Sequence, residues 1–280
     1  MDGMVPGPLD FQMNQYTSTP CDSRGYDASG NLASRSAAAG PTTYLYDYAD
    51  RLVQVQSVDF SGGAPVISTS TYAYDALGRR VSKTVSAGGL PPVTTTFVYD
   101  GGSVIEEREN GAVTASFIID GTRSHDDGVI QMRRGGKDYY YHTDDQGNVL
   151  ALTTTGGAVV ERCDYDDYGK VTFLTSDGVV TSATSSAVGN PYCWGGLRLD
   201  AETGLHNDDG GGYFETQTGR AVRGKVKIVK DLSGLGLAAN NPWSGGGGGP
   251  VEMKNGVVKF FNEAKGFGFA RRLASIQDES

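Results

Sequence analysis

An all-β chain of antiparallel hairpins is what this sequence predicts, and three observations predict it. A Tyr-Asp-x-x-Gly pattern returns along most of the chain. The stretches beside each copy alternate between two sets of residues with a period of two. Residues 1–220 nowhere show the spacing of a long amphipathic helix, because helix formers are diluted by Gly, Thr, Val and Tyr. The use of 41 Gly, and of 15 Tyr against 10 Phe, agrees with short strands and turns.

The best copy of the pattern is Tyr74-Asp75-Ala76-Leu77-Gly78-Arg79. Tyr26-Asp27-Ala28-Ser29-Gly30-Asn31 and Tyr165-Asp166-Asp167-Tyr168-Gly169-Lys170 follow it closely. Looser copies start at Tyr46-Asp47, Tyr99-Asp100 and Thr143-Asp144, the last ending in Gly147-Asn148. Ile119-Asp120-Gly121 is a worn one. The aspartates at 27, 47, 75, 100, 120, 144 and 166 fall 20 to 28 residues apart, a spacing that marks a repeat architecture.

Each copy reads as the corner of a hairpin. Tyr72 and Tyr74 share one strand face, Asp75 to Gly78 turns the chain, and Val81, Lys83 and Val85 alternate with Arg80, Ser82 and Thr84. An Asp side chain accepts backbone N–H bonds in a turn, and Gly takes a positive φ cheaply. The candidate turn residues are therefore Asp27, Gly30, Asp47, Asp75, Gly78, Asp100, Asp144, Gly147, Asp166 and Gly169. The same layout recurs at 44–56, 139–152 and 159–174. A lone hairpin is marginal in water, so successive hairpins must pair edge to edge into a long, curved sheet. Residues 86–92 and 175–186 read as exposed loops, and 1–19 as frayed. The chain opens inside the array with no capping segment, which reads as a piece of a longer product.

The net charge of −9 is uneven. Residues 221–280 carry nine Lys/Arg against five Asp/Glu, so the first 220 carry −13. Such an acidic body does not attract nucleic acid, whereas the basic tail can. Cys21, Cys163 and Cys193 are odd in number and far apart, which argues against a zinc site or a dense disulfide framework. The N-terminus lacks the basic and apolar regions of a secretory signal, and no apolar run approaches the ~18 residues of a membrane span.

Three segments carry a family resemblance. They are Tyr141-His142-Thr143-Asp144-Asp145-Gln146-Gly147-Asn148, the hairpin from Val160 to Gly169, and Leu197-Arg198-Leu199-Asp200-Ala201-Glu202-Thr203-Gly204-Leu205-His206. Together with the repeats they make residues 24–243 resemble an Rhs (rearrangement hotspot, or YD-repeat) core protein. That resemblance implies a sheet spiralling into a hollow shell around a C-terminal toxin or similar cargo, and a secreted or cell-surface setting. The expected partner is that cargo or another chain of the same shell.

The family's core also implies self-cleavage by paired aspartates, and here the sequence departs from it. Asp231 is displaced and lacks the following Pro, Asn240-Asn241-Pro242 matches the middle element, and the second acid is missing. One carboxylate cannot share a proton with an absent partner, so autoproteolysis is disfavoured and no catalytic residue is assigned. The run from Asn207 to Phe214 holds three glycines where the family has a Tyr- and Arg-rich strand, so that packing is expected to be lost.

The tail is similar to the opening of a cold-shock domain, from Met253 to Phe269. That likeness assigns base stacking to Phe260, Phe267 and Phe269 and phosphate contact to Lys254, Lys259 and Lys265. The match stops short of a five-stranded barrel. A truncated or chimeric frame without function, a hairpin added to the shell edge, and weak binding of single-stranded nucleic acid all stay open.

His206 with Asp208 and Asp209, and His125 with Asp126 and Asp127, could ligate a cation, but their glycine neighbours favour turn chemistry. His142 reads as a packed wall residue. No metal and no cofactor is assigned. The expected organisation is an N-terminal segment at 1–23, a repeat sheet at 24–190, a degenerate core region at 191–244, a Gly-rich linker at 245–251 and the cold-shock-like segment at 252–280. The expected function is a non-catalytic shell fragment that encloses or displays cargo. The two others are nucleic-acid binding through the tail and self-cleavage.

Overall fold

The structure is a computed structural model that describes residues 15–120, 128–208 and 211–222. The tail from 252 to 280, Asp231, the His125-Asp126-Asp127 group and Asp209 lie outside the described residues.

Fourteen strands form one open antiparallel sheet in strict sequence order. They are β1 (Asp22–Tyr26), β2 (Leu32–Ala37), β3 (Gly40–Tyr46), β4 (Leu52–Asp59), β5 (Val66–Tyr74), β6 (Arg80–Ala87) and β7 (Val93–Asp100). β8 (Ser103–Glu109), β9 (Ala112–Asp120), β10 (Gly128–Arg134), β11 (Lys137–Thr143), β12 (Val149–Thr154), β13 (Val159–Tyr165) and β14 (Val171–Thr175) complete it. The all-β hairpin architecture expected from the pattern is the one found. Because the sheet is a simple meander, the odd-to-even connections all lie on one rim, and the Tyr-Asp copies are those connections. The register slips beside the corner at Tyr26, Tyr46, Tyr74, Tyr99 and Thr143. Such bulges bend a strand and increase its twist.

One face of the sheet is covered and the other is open. Tyr44, Tyr72, Ala115, Phe117 and Cys163 are buried, while Leu45, Ile118 and Leu150 are exposed. The cover is the chain's own segment 188–222. It holds a single 3-10 turn at Trp194–Gly196 and a second sheet of β15 (Arg198–Asp200), β16 (Leu205–Asn207), β17 (Tyr213–Glu215) and β18 (Arg220–Ala221). Each of the three buried clusters contains residues of the cover: Tyr192 in one, Leu205, Tyr213 and Val222 in another, Cys193 in the third. Burying a large side chain contributes about 1.5–3 kcal/mol, so the cover supplies much of the core the strip would otherwise lack.

Several local expectations are corrected. His142 is exposed and bonds Thr153 across the strand pair, because a period of two puts it on the face of Tyr140, not on that of buried Tyr139. His206 lies buried inside β16, in a strand that follows the turn at 201–204 and not in the turn itself. The glycine-rich run does not abolish aromatic packing: Tyr213 is buried against Tyr72, and Phe214 stacks on Trp194 at 4.9 Å. Ser86 and Ala87 extend β6. Residues 175–186 are mostly exposed, as expected of a loop, with one return to the sheet where Thr181 N–H donates to the Phe173 carbonyl. Residues 17–19 are tied down as well, since Arg24 N–H donates to the Thr17 carbonyl and the Thr19 hydroxyl accepts from Asp22 N–H.

Candidate functional site

The corner rim is built from one unit used repeatedly. In the 74–79 copy, Asp75 Oδ1 accepts the N–H groups of Leu77 and Arg79, both at 2.9 Å, and Gly78 N–H donates to the Asp75 carbonyl. Asp27 with Gly30, Asp144 with Gly147 and Asp166 with Gly169 repeat this pattern. Asp47 does too, with Asp50 in the glycine position at φ 58°. Asp100 sits differently: it ends β7 paired with Ser103, and only Gly101-Gly102 separates the strands. Burial alone would raise the Asp47 carboxyl, but the Arg51 side chain and the turn N–H groups hold it below its ordinary value.

At three corners the residue after the glycine position couples one repeat to the next. Arg79 bonds Asp75 through Nε at 2.7 Å, reaches the Gly101 carbonyl at 2.5 Å and stacks over the Tyr99 ring at 4.9 Å. Arg51 likewise bonds Asp47, the Asp75 carbonyl and the face of Tyr74. Asn31 bonds both Asp27 and Asp50 of the following corner.

The repeat tyrosine closes the clasp from the other side. Tyr46, Tyr74, Tyr99 and Tyr165 donate their hydroxyls to the carbonyls of Leu32, Leu52, Arg80 and Val149, at 2.9, 2.6, 2.9 and 2.7 Å. Each acceptor opens the preceding even strand, two residues beyond the last ladder pair, at Ser34, Gln54, Ser82 and Ala151. The tyrosine therefore satisfies a carbonyl that the diverging backbones leave behind. The pattern alone did not expose this role, nor that of Arg51 and Arg79. The signal was the recurrence of Arg four residues after Asp.

Beneath the cover, charge replaces repetition. Arg80 is 2% exposed and donates to Asp200 Oδ2 at 2.5 Å and to the Tyr213 hydroxyl at 3.1 Å. Its guanidinium also lies over the rings of Phe97, Tyr72 and Tyr213. Lys83 Nζ bonds Asp200 at 2.9 Å and Glu202 at 3.0 Å. Burial works to raise the Asp200 carboxyl, yet Arg80 and Lys83 overcome it and hold it at about 2. Burial and then the nearby Asp200 charge push Glu202 up. A second node joins Glu107 to Arg134 and Arg198, with Arg198 4.8 Å from the Tyr192 ring centre. A third ties Arg24 to Asp22 at 2.9 Å and to Glu215 at 2.7 Å.

Between the first two nodes lies a cavity of about 230 Å³, lined by Arg80, Lys83, Glu107, Arg134, Arg198 and Asp200 among others. Its acids are bonded to cations, so none is poised as a free base. Among the described residues no group of three His, Cys, Asp or Glu could hold a metal, and no helix is long and apolar enough to cross a membrane. The Asp200 to Leu205 segment was visible in the sequence, but Arg80, Lys83, Glu107 and Arg134 were not. Arg80 and Lys83 have opposite parities in the sequence, and the register slip that skips Val81 brings both to Asp200.

A family model described as RHS Repeat matches residues 26–63. The chain is 30% identical over 197 residues to the tRNA3(Ser)-specific nuclease WapA of Bacillus spizizenii, covering 69% of this chain and 7% of that protein. It is 30% identical over 235 residues to double-stranded DNA deaminase toxin A of Burkholderia cenocepacia, covering 77% and 15%. The chain thus spans a small part of the curated relatives it matches. Among solved structures, the Photorhabdus luminescens Tc holotoxin pore (TccC3-D651A) overlaps 75% of this chain and 12% of its own, at 16% identity and TM-score 0.48. The repeated corners, the matching model and the shared stretches of both relatives lead to one statement: this chain belongs to the Rhs, or YD-repeat, family.

Proposed function

We propose that this chain is a non-catalytic wall segment of an Rhs-type toxin, one that encloses or displays cargo carried C-terminal to the repeats. The observation that carries the reading is the uninterrupted meander of clasped hairpins whose inner face is covered by the chain's own 188–222 segment. A wall needs stiffness and closed edges between repeats, and the Tyr and Arg clasps supply both. Two relatives are named as a nuclease and a deaminase toxin. The chain matches 7% and 15% of those proteins, so the reading assigns their chemistry to segments outside the match.

Intact mass and limited proteolysis of the purified chain test this. The expected result is one uncleaved mass and a resistant fragment ending between residues 220 and 245. Rapid digestion inside β1–β14 would overturn the wall reading. A C-terminal fragment that disappears in Asp231→Asn would favour the self-cleaving reading.

A second reading rests on Lys265-Gly266-Phe267-Gly268-Phe269, with Phe260, Lys254 and Lys259. It assigns weak, salt-dependent binding of single-stranded oligonucleotides to the tail. Affinity that survives Phe267→Ala would count against it.

A further inference from the structure

Two of the three cysteines lie in one buried cluster that the repeat pattern does not require. Cys163 projects from β13 onto the covered face, and Cys193 sits in the cover just before the 3-10 turn. They share a cluster with Phe173 and are 6% and 0% exposed. Tyr165, Val171 and Leu199 pack around them. Both thiols are free.

The backbone brings them to the same place. Tyr165, two residues past Cys163 on β13, donates its hydroxyl to the Val149 carbonyl of β12 at 2.7 Å. The Val149 N–H donates to the Cys193 carbonyl at 3.2 Å. One residue of β12 therefore ties Cys193 to the stretch of β13 that carries Cys163. Cys21 is exposed and lies just before β1, at the other end of the sheet.

We propose that Cys163 and Cys193 are a latent disulfide pair, a redox-dependent staple between the sheet and the segment that covers it. The reaction is exchange with a small disulfide oxidant such as oxidised glutathione. One cysteine thiolate attacks the oxidant, releasing one glutathione thiol and leaving a mixed disulfide. The second thiolate displaces the other glutathione and forms the Cys163–Cys193 bond. The two cysteines give up two protons and two electrons, and the oxidant leaves as two thiols.

Access sets the timing. Burial pushes the Cys163 thiol up to about 12 and raises the Cys193 thiol well above its ordinary value, so neither reacts in the seated state. Exchange takes place while the cover is unseated, during folding. Once the cover docks, the bond is shielded from reductant. A reducing cytosol keeps the dithiol, and an oxidising exterior favours the staple.

The test is refolding of the full chain from denaturant, with oxidised and reduced glutathione or with reductant alone. Alkylation, intact mass and peptide mapping follow. The expected oxidised product is lighter by roughly 2 Da, retains one alkylatable thiol at Cys21 and yields a linked Cys163–Cys193 peptide. Its urea midpoint is higher than that of the reduced chain. Cys21→Ser gives the same linked peptide. Three alkylatable thiols, a linkage through Cys21, or glutathione adducts that persist at Cys163 or Cys193 would overturn the proposal.

Discussion

At the corner rim, Asp75 binds Arg79, four residues on. On the covered face the very next residue, Arg80, binds Asp200, 120 residues away. Two neighbouring arginines thus serve two different kinds of order. The rim is held by short-range bonds repeated from copy to copy and open to solvent, so losing one corner leaves the others intact. The covered face is held by apolar clusters and by a few charged contacts, each built from different residues. In a repeat strip, cooperativity between distant hairpins has to come from the second kind, because nearest-neighbour clasps alone couple only adjacent units.

The sharpest way to break that contrast is Asp200→Ala. It leaves Arg80 buried without its carboxylate and Lys83 with Glu202 alone, and removing one partner of a buried pair costs about 3–5 kcal/mol. Urea unfolding should show the loss as a lower midpoint for the whole described strip, not only for the cover.

Two glycines separate corner strain from packing against the cover. Gly157 and Gly169 both have positive φ, at 79° and 85°. A Cβ at Gly157 meets nothing, whereas one at Gly169 falls 2.4 Å from the Trp194 ring. Gly157→Ala should cost roughly 1–2 kcal/mol of left-handed strain. Gly169→Ala should add about 1–3 kcal/mol of overpacking, reported by a change in Trp194 fluorescence.

Acid should act on the covered face first. Burial lowers His206 from 6.5 to about 4 against an opposing pull from Asp200. The folded protein therefore binds that proton less readily than the unfolded chain. The contribution is complete above pH 6.5 and is lost as pH falls toward 4, on the order of 2–3 kcal/mol. Glu161 and Glu202 are raised by burial and work in the opposite sense. His206→Leu isolates the histidine: the pH dependence of the urea midpoint between 6.5 and 4 should flatten in the variant.

The smallest effect belongs to a single clasp. Tyr99→Phe removes the bond to the Arg80 carbonyl and should cost about 1 kcal/mol. A loss as large as that of Asp200→Ala would erase the distinction between rim and face.

The corners were legible because everything they need lies within five residues. Asp, Gly and the following Arg or Asn mark the turn, and alternation on either side marks the strands. The clasps were half legible: Tyr74 was placed on a face, but its acceptor, the Leu52 carbonyl, depends on where the ladder between β4 and β5 stops. Composition, three tyrosines in a row, puts His142 in the packed wall, whereas parity puts it on the exposed face. Entropy alone argues against order in the glycine run before Tyr213. Its docking on Tyr72 and Arg80 offsets that entropy, and neither partner is near in sequence.

By itself the sequence determined the meander, the rim on which its corners fall and the family they mark. Those features follow from local sterics and from hydrogen bonds between residues a few positions apart, which a short period can encode. Only the tertiary structure decided that Arg80, Lys83, Glu107 and Arg198 are internal, that 188–222 covers the sheet, and that Cys163 meets Cys193. Such contacts require closing loops of tens to more than a hundred residues. Their partners are selected by which charges and rings remain unsatisfied once the sheet has formed, and that is settled by packing in three dimensions.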